Sequence, residues 1–275
     1  MGSSRTQRCL ITSPIAADST PSNLTRRRSV MSPSGMPSID LLSEQIASVL
    51  ADPATTHGLG RALRAAAKEI ELHRYHHSSR GAWPNGRIDD KPDRVQIGGG
   101  GHRIEGFFNI DLVPPADLLW DIREGIPLQD DSIAEIFSEH FLEHIDYPRS
   151  AKHYIREAHR VLMPGGQIIT GVPDAAFALN QYPGPLNASD VTIERWYAKR
   201  DCRDDINTRL DLVNLVFRDQ DDDPTYTPHL WAYDHEKLVQ LFTEAGFTTV
   251  EPWTFDPSMA NPKRRSGSVY VLATK

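Results

Sequence analysis

Short apolar segments alternate with helical segments from Arg94 to the end of the chain, and this alternation limits the possible folds more than any other feature. Four apolar runs within residues 94–137 end in glycine, acidic or polar residues, as buried strands do. Residues 149–162 keep apolar side chains at a 3.6-residue period, which predicts a helix. Strands that alternate with helices form a mainly parallel sheet with helices on both faces. We therefore expect an α/β fold.

The end of the predicted helix and the last strands complete this expectation. Pro164, Gly165 and Gly166 follow the helix and are typical helix-ending residues, so that a fifth strand is expected over residues 167–172. Two further strands are expected over residues 248–255 and 268–273, after another helix that Gly246 ends.

A run of four glycines, Gly98–Gly101, follows the first predicted strand. Glycine has no Cβ, so the main chain can turn sharply there and approach a ligand closely. In parallel sheets, ligands bind beyond the carboxyl ends of the strands, at the switch point of the strand order. Asp111 ends the next predicted strand, where its carboxylate can accept both hydroxyls of a ribose. The segment thus predicts a site for an adenosine-like ligand.

The spacing of this segment differs from both common phosphate-binding motifs. A dinucleotide fingerprint needs glycine where Arg103 stands, and an acid about 20 residues after its first glycine. Only 13 residues separate Gly98 from Asp111. The Gly-Lys-Ser/Thr end of a P-loop is absent as well. A ligand that carries ribose without phosphate, such as S-adenosylmethionine, fits better.

Composition limits the partners. The net charge of −7 and the isoelectric point near 5.9 favour neither nucleic acid nor an anionic membrane. No segment approaches the roughly 18 consecutive apolar residues of a membrane span. Cys9 and Cys202 lie far apart, which argues against a disulfide framework or a cysteine-bound zinc. We expect a cytoplasmic protein that acts on a small molecule.

Three regions of the chain differ in pattern. Residues 1–37 are rich in Ser, Thr, Pro and Arg and are expected to be a disordered tail. Residues 38–93 contain two predicted helices, over residues 39–50 and 60–75, and a linker. Residues 94–275 contain the predicted sheet.

Four segments of the last region resemble, in the same order, class I S-adenosylmethionine-dependent methyltransferases of the small-molecule, type 11-like group. They are VQIGGGGHRIEGFFNID, ADLLWDIREGIPLQDDSIAEIFSEHFLEHI, HRVLMPGGQIITGVPD and YDHEKLVQLFTEAGF. The resemblance implies a Rossmann-like, seven-stranded sheet with an antiparallel last strand, and S-adenosylmethionine as the cofactor. It also implies an acceptor-binding insertion at about residues 175–232.

The resemblance implies cofactor contacts that follow the ends of the strands: Gly98, Gly100, Asp111, Asp121, Ile122, Ser138 and Glu139. The glycines would contact the methionine and ribose portions and Asp111 the ribose diol. Asp121 and Ile122 would meet the adenine edge, and Ser138 and Glu139 would form the pocket floor. The chain departs from the group at Gln96, where many relatives have an acid, and in a shortened glycine loop with little room for a helix.

The segment SEHFLEHID carries the candidate catalytic residues. His140 and His144 are spaced i, i+4 around Glu143, so they would share a face if the segment were helical. Methyl transfer to a hydroxyl requires aligned reactants and removal of a proton. A neutral imidazole can accept that proton near neutral pH. His144 is therefore the expected general base, and His229 is a further candidate.

Two other interpretations of this face stay open. The stretch locally resembles ubiquinone-pathway O-methyltransferases, in which a divalent ion is held at the positions of His140, Glu143 and His144. Histidine in place of an acid at the first position favours a borderline metal or none. In the third interpretation, the segment is a packing signature whose side chains hydrogen-bond a neighbouring loop, and His229 is structural.

The acceptor would lie against aromatic and hydrogen-bonding residues at and after the fifth strand: Asp174, Asn180, Tyr182, Trp196, Tyr197, His229 and Trp231. Such residues suit a polar, ring-shaped acceptor, although the adjacent pair Trp196 and Tyr197 more often belongs to a core. We expect O-methylation of a hydroxylated small molecule such as a sugar or glycoside, with a homodimer as one candidate assembly. The alternatives are N- or C-methylation of another metabolite, and a cofactor-binding regulatory protein without catalysis.

Overall fold

A computed structural model describes residues 38–82, 92–182, 208–218 and 227–275. The tail expected over residues 1–37 lies outside the described residues. The chain divides into two compact units, residues 1–42 and 43–275. In the first unit the described residues begin helix α1, and the second unit contains the entire sheet. Within the described ranges, no helix is both long enough and apolar enough to cross a membrane.

Both helices predicted before the sheet are present. Helix α1 spans Ile39–Ala51, and its first turn is capped by Ser38, whose Oγ accepts a hydrogen bond from the N–H of Leu41 (3.2 Å). Helix α2 spans His57–Ala82 and is longer than predicted at both ends. Leu72 and His76 of α2 are buried, so this helix packs into the domain instead of standing apart from it.

Seven strands form one sheet: β1 Arg94–Ile97, β2 Phe108–Asp111, β3 Leu118–Leu119, β4 Ile133–Glu139, β5 Leu162–Pro173, β6 Thr249–Pro252 and β7 Ser268–Thr274. Their order is β3-β2-β1-β4-β5-β7-β6. The pairs among β1 to β5 are parallel, whereas β7 runs antiparallel to both of its neighbours. The predicted Rossmann-like sheet with an antiparallel last strand is confirmed.

In the described part of the chain after β4 there are four helices: α3 Arg149–Val161, α4 Ala175–Gln181, α5 Arg209–Arg218 and α6 His235–Glu244. The apolar stripe of α3, which includes Tyr154 and Ile155, is fully buried in the main core. Helix α6 begins at the cap Asp234, whose Oδ1 accepts from the N–H of Lys237 (2.8 Å). Helices α3 and α6 match the predicted helical periods, whereas α4 and α5 were not predicted.

Pro164, Gly165 and Gly166 follow the end of the helix as predicted, but the fifth strand begins earlier than predicted. Helix α3 ends at Val161, and these residues lie inside β5. Pairing with the end of the chain explains the difference, because Gly165 N–H donates to Lys275 O and Lys275 N–H donates to Gly166 O. The pairing of β4 with β5 also shifts register between Ile133 and Glu135, which absorbs the extra residues as a bulge.

We predict that Gly171→Ala destabilises the sheet. Gly171 lies opposite Tyr270, and a Cβ at this position would come within 2.2 Å of the Tyr270 ring. Overpacking of this kind costs about 1–3 kcal/mol, which denaturant unfolding would measure. Gly58→Ala in α2 is the control, since nothing lies within 4 Å of its added Cβ. Equal stabilities of the two variants would contradict the prediction.

Candidate functional site

The glycine loop and the segment after β4 meet because β1 pairs with β4. The parallel register places Ile97 opposite Ser138, so both strands end at the same edge of the sheet. The chain leaves β1 towards β2 on one side and later returns to β4 on the other side. This position is the switch point at which open parallel sheets bind ligands.

A cavity of about 350 Å³ lies at this edge, within the usual range for small-molecule sites. Five of the predicted cofactor residues line it: Gly98, Gly100, Asp111, Asp121 and Ile122. Of the predicted catalytic residues, His140 and His144 line it as well. The structure thus brings the two groups of candidate residues to one cavity.

The glycine loop has the open conformation that its sequence suggested. Gly98 has φ of 66°, and an added Cβ would come within 2.6 Å of the Phe141 ring. Gly100 has φ of 50°, with nothing within 4 Å of an added Cβ. Buried Gln96 holds the loop, because its Nε2 donates to His102 O (2.6 Å) and its Oε1 accepts from Ile104 N–H (3.0 Å). As the short loop suggested, residues 98–107 contain no helix.

Asp111 keeps acceptor capacity on the cavity side. Its Oδ2 accepts from Gly100 N–H (2.9 Å) and its Oδ1 from Val113 N–H (3.1 Å). A carboxylate has about four acceptor positions, so about two stay available for a diol. Ile122 is buried at the same cavity and offers an apolar contact for a flat ring.

Asp121 lines the cavity as predicted, but its carboxylate is bound by Arg123. Its two oxygens accept four hydrogen bonds of 2.8–3.1 Å from Arg123, one from the main chain and three from the guanidinium. These bonds occupy the roughly four acceptor positions of the carboxylate, and they raise the pKa of Arg123 above its ordinary value. Asp121 therefore fixes Arg123 at the cavity wall, and its carboxylate has no acceptor position left for an adenine.

Ser138 and Glu139 do not line the cavity. Ser138 is buried, with its Oγ 3.3 Å from Thr170 Oγ1. Glu139 points towards β7 instead, where its Oε1 accepts from the Tyr270 hydroxyl (2.7 Å) and its Oε2 lies 3.2 Å from Arg264 Nη1. Alternate residues of a strand share a face, so Glu139 follows Phe137 into the cluster that contains Tyr270. The expected pocket floor is not formed by these two side chains.

The segment after β4 is not the expected α-helix. His140 has φ of 54°, and only Leu142–His144 form a single 3₁₀ turn. The side chains still converge on buried Glu143, whose Oε1 lies 3.5 Å from His140 Nδ1 and 3.8 Å from His144 Nε2. His229, from the loop before α6, joins them with its Nε2 at 4.0 Å from the same oxygen.

The hydrogen bonds of the histidines fix their ring orientations. His144 Nδ1 donates to Thr227 O (2.6 Å), and His229 Nδ1 donates to Val216 O (2.9 Å). A carbonyl only accepts, so each Nδ1 carries a proton and each neutral ring has its lone pair on Nε2. Burial lowers the pKa of His144 to about 4. Burial also lowers the pKa of His140 well below its ordinary value.

Several cavity residues were missed by the sequence analysis: Lys68, Glu69, Leu72, Trp120, Phe141, Thr227 and Leu230. The sequence around the α2 residues did not indicate a binding site, because a helix face that mixes polar and apolar side chains is typical of any packed helix. The loop before α6 is tied to the site by Leu230 N–H, which donates to Glu143 O (2.7 Å), and by Lys68 Nζ, which donates to Thr227 Oγ1 (2.7 Å).

Other predicted acceptor residues lie away from this cavity. Asp174 caps α4, and Asn180 and Tyr182 are exposed. Trp231 stacks on Tyr147, with ring centroids 4.5 Å apart. Trp196 and Tyr197 lie outside the described residues.

A family model described as a methyltransferase domain matches residues 115–170, which run from the start of the β3 region into β5. Over these residues the chain is similar to that domain, and the seven-stranded sheet with an antiparallel last strand is the one that the resemblance to class I S-adenosylmethionine-dependent methyltransferases implied. A comparison with curated proteins found no match.

Solved structures with a similar fold include several methyltransferases. An S-adenosylmethionine-dependent methyltransferase of Thermotoga maritima, described as a possible histamine N-methyltransferase, is 18% identical with a TM-score of 0.39, covering 78% of this chain and 97% of its own. One from Methanosarcina mazei is 15% identical with a TM-score of 0.41, covering 68% and 94%. The 1,6-didemethyltoxoflavin-N1-methyltransferase of Burkholderia thailandensis, with S-adenosylhomocysteine bound, is 14% identical with a TM-score of 0.38, covering 85% and 90%.

S-adenosylmethionine is the cofactor of this class, and the cavity fits it. The glycine loop leaves its open side free at Gly100, and Asp111 has acceptor positions for the ribose hydroxyls. Ile122 lines the same cavity with an apolar side chain that would suit an adenine ring. When bound, the cofactor supplies an electrophilic methyl group on a sulfonium sulfur.

We predict that Glu139→Gln lowers stability and leaves S-adenosylhomocysteine affinity unchanged. The buried carboxylate accepts from Tyr270, whose hydroxyl stays protonated because burial raises its pKa. Loss of hydrogen bonds to a charged group costs about 1.5–3 kcal/mol, measurable by denaturant unfolding, whereas calorimetry reports the affinity.

The matched control is Glu135→Gln on the same strand. Glu135 pairs with Arg94 at 2.6 Å, but both side chains are partly exposed, so the change should cost less than about 1 kcal/mol. A large loss of S-adenosylhomocysteine affinity in Glu139→Gln would show that this side chain serves the cofactor after all.

Proposed function

We propose that this methyltransferase transfers the methyl group of S-adenosylmethionine to a hydroxyl of a small, hydroxylated acceptor such as a sugar or glycoside. One observation carries the proposal: the buried cluster of His140, Glu143 and His144 borders the same cavity as the glycine loop and Asp111. A neutral nitrogen acceptor needs no group that handles a hydroxyl proton, whereas an alcohol does.

The cofactor contacts proposed for this cavity are made by residues that line its wall. Gly98 and Gly100 would contact the methionine and ribose portions, Asp111 the ribose diol, and Ile122 the adenine ring. Arg123, fixed by Asp121, lies on the same wall. We leave Ser138 and Glu139 out of this set, since their side chains face elsewhere.

The chemistry required of the chain is limited. The acceptor oxygen forms a bond to the methyl carbon, the sulfur–carbon bond breaks, and the hydroxyl proton leaves. His144 lies on the cavity wall with its lone pair on Nε2. In this proposal, His144 accepts the proton of the acceptor hydroxyl. His140 and His229 flank the same carboxylate oxygen and help to place it.

A second cavity supports a polar acceptor. Its volume is about 720 Å³, and it shares Glu69, Asp121 and Arg123 with the first cavity. Histidine and arginine side chains dominate the rest of its wall: His73, His76, His77, Arg80 and Arg149. A wall of hydrogen-bonding groups next to the cofactor cavity suits an acceptor with several hydroxyls better than an apolar one.

We predict that Asp111→Ala weakens S-adenosylhomocysteine binding by about 1.5–3 kcal/mol, the range for hydrogen bonds to a charged group. Titration calorimetry on both proteins would measure it. Asp130→Ala is the control, because its side chain is exposed on the Arg160 ion pair, away from the cavity. Equal affinities of Asp111→Ala and the parent would remove Asp111 from the ribose site.

We also predict that His144→Ala lowers turnover about 10²–10⁴-fold while S-adenosylhomocysteine affinity stays unchanged. Hydroxylated acceptors would be screened with labelled S-adenosylmethionine, and mass spectrometry would locate the new methyl group. The exposed His235→Ala is the control.

The same screen separates the alternatives. A methyl group on nitrogen or carbon would contradict O-methylation. Methylation of no acceptor, together with intact cofactor binding, would favour a regulatory role. Full turnover of His144→Ala would contradict a catalytic role of this residue and favour the interpretation in which residues 138–146 are a packing signature.

A further inference from the structure

We propose that Glu143, His144 and His229 bind one divalent transition-metal ion of the borderline class, such as Zn²⁺ or Co²⁺. Its part in catalysis rests on the proposed O-methylation, whereas the binding itself does not. The set differs from the one that the sequence suggested, because His229 takes the place of His140.

The spacing of the candidate ligand atoms suits one ion. One ligand atom from each residue lies within 4.8 Å of the others. The Nε2 atoms of His144 and His229 lie 3.8 and 4.0 Å from Glu143 Oε1. A tetrahedral zinc ion with bonds of about 2.0–2.1 Å holds its ligand atoms about 3.4 Å apart. The two histidine–carboxylate distances would therefore shorten by about half an ångström around an ion.

The electron pairs of the cluster also point to a cation. His144 and His229 both donate through Nδ1 to backbone carbonyls, so in the neutral rings both Nε2 lone pairs face the carboxylate region of Glu143. A cation between these three groups would be stabilised by all of them at once. Two imidazoles and one carboxylate form a ligand set that is typical of borderline divalent ions.

The support around the cluster has the pattern of a metal site. Histidines that bind metals usually donate their other ring N–H to a carbonyl or carboxylate, which fixes the ring. Both histidines do so here, to Thr227 and Val216. Leu230 N–H donates to Glu143 O (2.7 Å), which ties the loop that carries His229 to the turn that carries the other two residues.

His140 is held apart from this set. Its Nε2 lies 2.8 Å from Ser268 Oγ, on β7, although its Nδ1 is 3.5 Å from Glu143 Oε1. In this position it can orient the carboxylate by a hydrogen bond, as groups around metal ligands commonly do.

Three protein ligands leave a coordination position open, as in catalytic zinc sites. His144 lies on the cavity wall, so an acceptor oxygen can reach that position from the cavity. An ion there lowers the pKa of a hydroxyl. The hydroxyl proton is then released to solvent, the oxygen bonds to the methyl carbon, and the sulfur–carbon bond breaks. In this scheme His144 acts as a ligand and not as the proton acceptor.

The test uses the full chain after treatment with a chelator. Zn²⁺ and Co²⁺ are titrated by calorimetry, and the visible absorption of Co²⁺ reports its coordination. We expect one ion per chain in the parent. His229→Ala and the conservative Glu143→Gln should each weaken the affinity at least about tenfold and alter the Co²⁺ spectrum. Exposed His235→Ala, the control, should bind like the parent.

Each outcome decides the proposal. No bound ion in the parent, or parental affinity in both folded variants, overturns the metal site. If His229→Ala fails to fold, Glu143→Gln and the parental Co²⁺ spectrum still decide it. Methylation that is unaffected by the chelator overturns the catalytic part and leaves the O-methyltransferase proposal standing. Ion binding without methylation of any acceptor overturns the proposed function and supports the site.

Discussion

The parallel pairing of β1 with β4 is the interaction on which the candidate site depends. It sets Ile97 beside Ser138, so the glycine loop and the turn with Glu143 leave the sheet side by side. The two segments then fit closely, because the Phe141 ring occupies the space where a Cβ of Gly98 would stand. A slip of one residue would turn every side chain of the strand to the other face, and the cavity would lose one of its walls.

Patterns in the local sequence predicted those parts of the fold and of the site that are formed by residues close together in the chain. The sheet, the glycine loop and Asp111 follow from strand periods and from residues that are near each other in the chain. The direction of Glu139 could not be predicted, since both faces of β4 are buried and alternation alone does not tell them apart. The glycines after α3 were misjudged because their pairing with Lys275 is a contact with the far end of the chain.

The cluster around Glu143 shows the same limit in the site itself. His144 and His229 are 85 residues apart, and nothing in their local patterns indicates that their rings lie 4.9 Å from each other. Their meeting depends on the loop before α6, which hydrogen-bonds both Glu143 and Lys68 of α2. This side of the cavity is thus assembled from helix α2, the turn after β4 and a loop from the last quarter of the chain.

Gln96 gives the glycine loop a property that an acid at this position would not. Its amide donates to one loop carbonyl and accepts from one loop N–H at the same time, and a carboxylate could only accept. Buried Asn109 acts in the same way, accepting from Gly99 and donating to Pro115. Neither amide gains or loses a proton in the physiological range. Gln96 and Asn109 therefore hold their parts of the loop with groups that are insensitive to acidity, whereas the bond from Gly100 N–H to Asp111 ties the loop to a carboxylate that also faces the cavity.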